Sequence, residues 1–343
     1  MKNKKPIIIL GIESSCDDTS ASVIIDGKIF SNVIAGQKIH EQYGGVVPEL
    51  ASRAHQQNII PVVDSALKQA GITKKDLSAI AFTAGPGLMG ALLVGVSFSK
   101  SLALSLDIPL IQINHMQGHI LAHFIEKENE EKAKPKFPFI CLTVSGGHTQ
   151  LVLVKDYFKM EILGQTLDDA AGEAFDKMAK IMGFPYPGGP LIDKYAKNGD
   201  KTRFQFTHPR TTEYNYSFSG LKTQFMNFIR KCERDDSDFV EKNKEDICAS
   251  AQDVIVKTLF SKLKKVADDF EVNQIAIAGG VSANSHLRSE LKLLAIKKRW
   301  DVFIPEFEYC TDNAGMIAMA GYFKYLDEDF VGQEVTAVSR LKF

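Results

Sequence analysis

Residues 6–26, PIIILGIESSCDDTSASVIID, and residues 138–156, PFICLTVSGGHTQLVLVKD, read as two copies of one unit. Each is an apolar strand, a short polar turn and a second apolar strand. A repeat at this distance implies two related halves, because the gap is too long for a solenoid. The tips, residues 13–19 and 145–149, are rich in Ser, Gly and Thr. Turns of that composition offer backbone N–H groups and hydroxyls to an anion. Either hairpin alone is an ordinary Ser-rich turn. As a pair, with a third glycine loop further along, they predict two phosphate-gripping hairpins facing one another across a nucleotide site.

Working outward, YGGVVP at 43–48 precedes a helix over 49–70, and a strand is expected over 79–83. AGPGLMG at 84–90 then opens a small-residue helix to about 105, followed by a strand over 109–113. Residues 126–136, EKENEEKAKPK, are charged and carry a proline, which marks a linker just before the second hairpin. The expected division is therefore 1–136 and 137–343. In the second part helices are expected over 169–182, 191–196, 218–230 and 246–270, a strand over 274–278, and a terminal helix over 313–326. Strands alternating with helices give an α/β fold, with a more helical insertion in the second half.

The 343 residues are 45% hydrophobic and 24% charged, which is a globular composition with ample core. Lys plus Arg number 41 against 42 for Asp plus Glu, so a nucleic-acid partner needs a local basic patch or a helper protein. Basic clusters stand at 262–265 and 297–299, where solvated helix faces are the commoner explanation. The five cysteines include no C-x-x-C pair, which argues against a disulfide framework or a cysteine zinc site and for a reducing compartment. Cys16 lies in a polar turn, but no histidine partner can be assigned to make it a nucleophile. The start, MKNKKPIIILGIE, reads as a first strand and not as a signal peptide. No apolar stretch is read as long enough to cross a membrane, and a cytoplasmic protein is expected.

Residues 113–125, INHMQGHILAHFI, hold the first candidate chemistry. Asn114 suits a helix N-cap after a strand, so His115 falls in the first turn and His119 one turn later on the same face. This is the spacing of two ligands to one metal ion, although two packed core histidines share it. A carboxylate is the natural third ligand, and Asp312 in CTDNAGMI (310–317) is the candidate; it also reads as a plain N-cap. His123 stays an unassigned surface or packing residue. The pattern is not H-E-x-x-H, since Met116 stands where a zinc peptidase carries its general base. AGGVSAN (278–284) follows a strand and precedes a helix, so backbone can approach a ligand there and Asn284 can hydrogen-bond it. YPGGP (186–190) is a turn ahead of Asp193. DDAAGEAFDK (168–177) is spaced to bring carboxylates, Asp176 among them, near one helical side.

In order along the chain, GIESSCDDTS, GGVVPELASR, GPGL, NHMQGH, VSGGHTQL, DDAAGEAFDK, YPGGP, SFSGLKT, AGGVSAN and CTDNAGMIA resemble the bacterial TsaD family. These are tRNA threonylcarbamoyladenosine transferases, formerly described as O-sialoglycoprotein endopeptidases, and the likeness covers nearly the whole chain. It implies a duplicated actin/Hsp70/sugar-kinase ATPase-like (ASKHA) fold, two lobes around a central cleft. It implies transfer of a threonylcarbamoyl group from threonylcarbamoyl-AMP to the exocyclic amine of the adenosine 3′ of the anticodon, in tRNAs reading ANN codons, with release of AMP.

Carried over by motif, His115, His119 and Asp312 resemble metal ligands, with Fe(2+) the family's usual ion and Zn(2+) the alternative. Thr143, Val144, Ser145, Gly146 and Gly147, with Asp176, Gly189, Asp193 and Asn284, resemble the adenylate-binding set. Glu13 resembles a catalytically important acidic position near the phosphates. The resemblance also implies two protein partners, TsaB, of the same fold, and TsaE, an ATPase. Ser285 and His286 depart from the pattern, which leads one to expect a basic residue soon after Asn284. The nearest rival function is an ASKHA-type ATPase or kinase, which predicts Mg²⁺ held by carboxylates; the histidine pair speaks against it.

Overall fold

The computed structural model describes residues 5–208 and 211–343. It divides into two compact units, one built from the chain up to Lys134 together with Glu306–Phe343, the other from Pro135–Pro305.

In the first unit β1 (Ile8–Glu13), β2 (Asp18–Ile25) and β3 (Lys28–Gly36) form an antiparallel meander. β1 also pairs in parallel with β4 (Ala79–Gly85), and β4 with β5 (Leu110–Asn114). A two-residue strand, β6 (Glu126–Lys127), lies along β3, so the order is β5-β4-β1-β2-β3-β6. Side chains alternate across the sheet, as strand geometry requires. Ile8, Leu10, Ile12, Ile80 and Phe82 share a core with Ile59, Val62 and Val63 of α1 (Pro48–Gln69) and Leu92 and Val96 of α2 (Met89–Leu106). The intervening positions Ile9, Gly11 and Ala81 meet the C-terminal helix, Ala314–Leu326. That helix sits close because Gly11 has no side chain: a Cβ there would lie 2.5 Å from Ala314 O and 2.6 Å from Ala318 N.

In the second unit β7 (Phe139–Val144), β8 (Thr149–Asp156) and β9 (Lys159–Gln165) form the same meander, with β10 (Gln274–Ala278) parallel to β7 and β11 (Asp301–Phe303) parallel to β10. The order β11-β10-β7-β8-β9 repeats β5-β4-β1-β2-β3 strand for strand. The duplication read from two hairpins thus extends to five strands. Among the described residues six α-helices accompany this sheet: α4 (Ala171–Ile181), α5 (Gly189–Ala196), α6 (Ser219–Asp235), α7 (Phe239–Lys242), α8 (Lys244–Asp269) and α9 (Ser285–Lys298). Phe175, Phe218, Phe225, Leu259 and Leu263 bury the helical layer against Ile140, Leu142 and Ile275.

Three expectations are corrected. A second half running from 137 to 343 is too long, since residues from Glu306 onward belong to the first unit, where the C-terminal helix packs on β1 and β4. The charged linker carries β6 and is pinned by Lys127 and Lys132, 3.0 and 3.3 Å from Glu306. Finally, α2 is long and apolar enough, by length and composition alone, to cross a membrane; one of its faces packs in the first unit's core.

Candidate active site

β5 ends at Asn114, whose Oδ1 accepts the N–H groups of Met116 at 2.9 Å and Gln117 at 3.3 Å. That cap starts α3 (His115–Leu121), with His115 and His119 one turn apart. Their rings stand edge to face, centroids 4.7 Å apart. The C-terminal helix begins with its own cap, Asn313, which accepts the Met316 N–H at 3.1 Å. Asp312 therefore precedes the cap and is not engaged in capping. Its Oδ1 lies 3.4 Å from His115 Nε2 and 3.2 Å from His119 Nε2. Ligand atoms of all three residues lie within 4.8 Å of one another. The side chains of His119, His115 and Asp312 are 0%, 9% and 26% exposed, so the group is approached from the aspartate.

Glu13 belongs not to the turn but to the end of β1, paired with Ser20 and fully buried. Its Oε2 lies 3.0 Å from His115 Nδ1 and accepts the Thr83 hydroxyl at 2.6 Å, while Oε1 accepts the Ser15 N–H. Ser15 Oγ is 3.2 Å from the same imidazole nitrogen. With Nδ1 held from behind, His115 presents Nε2 to Asp312.

Burial opposes charge on all four groups, and their mutual attraction decides the outcome. Burial pushes Glu13 and Asp312 up, but the neighbouring His115 holds both carboxyls below the usual range. Burial pushes His115 down, yet Asp312 and Glu13 carry it well above 6.5. His119 is kept below 6.5 by burial, aided by the charge on His115 and resisted by its bond to Asp312. The two carboxylates thus favour the charged form of His115, and burial favours the neutral form of His119. His119 Nδ1 is buried with no hydrogen-bond partner among the described residues. Two imidazoles and a carboxylate suit a first-row divalent cation such as iron or zinc, not Mg²⁺. Cys16 is kept a thiol by burial and by the carboxylates of Asp17 and Asp312, which removes it as a nucleophile. His123 is buried.

The second unit gathers the other candidates. Thr143 and Val144 are buried at the end of β7. Ser145 N–H donates to His148 O at 2.8 Å, and His148 N–H to Ser145 Oγ at 3.0 Å, closing the turn. Gly146 and Gly147 form its exposed tip, with open space where side chains would stand. Gly172 at the start of α4 donates its N–H to Ser145 O at 3.2 Å. One turn on, Asp176 Oδ1 accepts the N–H groups of Gly188 and Gly189 at 2.9 and 3.0 Å. Asp193, on α5, accepts the Ser285 hydroxyl at 2.8 Å; Asn284 caps α9 through Leu287 N–H and donates to Gln252 Oε1 at 2.6 Å. A cavity of about 250 Å³ adjoins, lined in part by Lys201, Gln252, Ser285 and His286.

Of the nine expected residues, Asp176 is tied to Gly188 and Gly189, Asp193 to Ser285, and Asn284 to the start of α9, while Gly146 and Gly147 stand exposed at the hairpin tip. Asp168 and Asp169 do not share a side with Asp176. They precede α4, where Asp168 ties down Ser217 and Ser219 and Asp169 pairs with Lys177. The two basic clusters converge on one groove, where Asp268 and Asp269 pair with Lys298 and Lys265 and reduce its field.

The sequence profile of TsaD, described as tRNA N6-adenosine threonylcarbamoyltransferase, matches residues 28–319. The chain belongs to the TsaD family. It is 62% identical to a tRNA N6-adenosine threonylcarbamoyltransferase of Christiangramia forsetii, over 98% of both chains. It is 58% identical to one of Phocaeicola vulgatus, over 97% of this chain and 98% of that one. Among solved structures it is similar to T. kodakarensis HypF, with a TM-score of 0.62 and 14% identity over 98% of this chain and 51% of that one. That likeness is one of fold, the duplicated ASKHA architecture. Within this TsaD family member Thr83, Ser15 and Gln252 went unread from sequence. Thr83 left one trace, a lone hydroxyl in the apolar run AIAFTAG, residues 79–85.

Proposed function

We propose that this chain performs the transfer for which its relatives are named, moving threonylcarbamoyl from threonylcarbamoyl-AMP to the N6 amine of the adenosine 3′ of the anticodon in tRNAs reading ANN codons. The observation carrying this reading is the convergence of His115, His119 and Asp312, with Glu13 behind His115, in a chain so close to proteins of that name. The N6 lone pair attacks the carbamoyl carbon, the bond from that carbon to the phosphate oxygen breaks, AMP leaves with the bonding pair, and the one proton lost by the amine passes to water or the departing phosphate. A mixed anhydride needs no enzyme nucleophile, which agrees with an inert Cys16. What remains for the protein is orientation and stabilisation of developing charge.

Donor binding is assigned to Thr143, Val144, Ser145, Gly146, Gly147, Asp176, Gly189, Asp193 and Asn284. The exposed tip at Gly146 and Gly147 leaves room for phosphate to approach the backbone, and the Asp176 oxygen not engaged with the glycines suits a ribose hydroxyl. His115, His119 and Asp312 would hold one divalent cation, Fe(2+) by family precedent with Zn(2+) as the alternative. When bound, it supplies Lewis acidity toward oxygens that gain charge. Glu13 is a positioning residue, fixing the tautomer and direction of His115. Because tRNA is the acceptor, the cytoplasm is the working compartment.

TsaB and TsaE are the proposed partners. Met89, Leu93 and Leu104 make an exposed apolar stripe on α2, and Ile60 is exposed on α1. These helices suit a partner of the same fold. Leu93→Glu combined with Leu104→Glu is expected to abolish the TsaB heterodimer on size-exclusion chromatography while metal content stays unchanged. An intact heterodimer would refute this interface.

The reaction is tested by mass spectrometry of nucleosides from unmodified tRNA incubated with the protein, threonylcarbamoyl-AMP and both partners. Threonylcarbamoyladenosine is expected with the native chain, with at least a 100-fold loss in His115→Ala and His119→Ala. No product, under conditions that support an authentic TsaD, would sink the assignment and bring the ATPase or kinase reading forward.

A further inference from the structure

The chain ends in an irregular segment, residues 331–343, lying along the first unit. Val331 N–H donates to Leu110 O at 2.9 Å, and Lys100 Nζ to Val335 O at 3.0 Å. Ala337 is buried in the core shared with α1 and α2. Val338 N–H then donates to Ala84 O at 2.8 Å, and Ser339 O accepts the Gly87 N–H at 3.1 Å. Finally Lys342 O accepts from Asn114 Nδ2 at 3.0 Å.

This strap grips two pieces of chain that both lead to His115. One is the loop 85–88, where Gly85 lies so near Val338 O that no side chain fits. From that loop Leu88 N–H donates to Ser15 O at 2.8 Å, and Ser15 Oγ reaches His115 Nδ1 at 3.2 Å. The other is Asn114 itself. Its Oδ1 caps α3, while its Nδ2 is held by the tail carbonyl. The amide is planar, so fixing one end aims the other at the first turn of α3. The strap's hydrogen bonds to Asn114 and the loop use main-chain carbonyls and amides, Leu341 packs beside Gly85, and Arg340 and Lys342 are exposed.

We propose that the C-terminal strap is a positioning element for the metal-binding residues, acting through Asn114 to set the direction of α3 and so the reach of His115 and His119 toward Asp312. The proposal rests on the metal reading given above. It does not require any strap side chain to touch substrate.

The test uses the full protein with two changes made singly and together. Asn114→Ser keeps a capping oxygen and loses the arm that reaches Lys342. Ending the chain after Leu341 removes the tail carbonyl of Lys342 and keeps Leu341 packed on the core. Metal affinity is measured for Zn(2+) by chelator competition, with kcat, KM for tRNA and the thermal midpoint alongside. Each change is expected to weaken metal affinity about five-fold, as for one hydrogen bond. kcat should fall at constant KM, with the midpoint moved by no more than about 4 °C. The double variant should be no weaker than the truncation alone, since both break one linkage. Native affinity in both single variants, or additive losses, would overturn the strap's role. His115→Ala binding Zn(2+) as tightly as the native chain would instead overturn the metal assignment.

Discussion

Glu13→Gln lowers metal affinity by about 10- to 100-fold, although the side chain keeps its size. The native carboxylate accepts three hydrogen bonds, from Thr83 and His115 on Oε2 and from Ser15 N–H on Oε1. A glutamine has one oxygen, so its NH₂ must face a donor wherever it is turned. The clash is buried, where an unmet donor costs about 1–3 kcal/mol. Thermal stability therefore falls with affinity.

The pH dependence gives this prediction its sign. In the metal-free native chain, Asp312 and Glu13 hold His115 protonated above its ordinary range, so metal competes with a proton. Affinity should then rise with pH until His115 deprotonates. Removing the Glu13 charge lowers the pKa of His115 and weakens that competition. The deficit of Glu13→Gln should thus be largest at alkaline pH and shrink toward pH 6. Chelator-buffered titrations across pH 6 to 9 check it; a deficit that does not vary with pH would show that Glu13 acts only by shape.

What could be read from the sequence follows from what each residue's signal depends on. The β1 and β7 hairpins are apolar on both sides of a polar tip, so their kinship is visible in the letters. β3 and β9, which complete the repeat, carry mixed faces such as exposed apolar Phe30 and Ile34 beside buried Ile29 and Ser31, and no polar–apolar period stands out. The histidine pair was legible because helical spacing alone puts both rings on one face. Asp312 was ambiguous between ligand and cap, and Asn313 resolves it by capping the helix itself. The tail was illegible for a different reason: Lys342 acts through its carbonyl, which every residue has. Glu13 is marked by the family resemblance, but its partners Thr83 and Ser15 converge from β4 and the first turn, which no local pattern displays.

Gly11→Ala is expected to lower stability and metal occupancy together, by about 1–3 kcal/mol in the first and by more than ten-fold in affinity. The new methyl would fall 2.5 Å from Ala314 O, 2.6 Å from Ala318 N and 2.7 Å from Ala318 Cβ. Two of these atoms are backbone, so no rotamer relieves the overlap and the helix itself must shift. Asp312 stands two residues before Ala314, and moves with it, whereas His115 and His119 ride on α3. Gly146→Ala supplies the contrast, since open space surrounds its Cβ and only a bound donor would meet the methyl. It should melt and load metal as the native chain does, with KM for threonylcarbamoyl-AMP raised. Differential scanning fluorimetry, metal analysis and steady-state kinetics on the two alanine variants separate these outcomes. Native metal loading in Gly11→Ala would mean that Asp312 is held independently of the helix it precedes, through residues 306–311 alone.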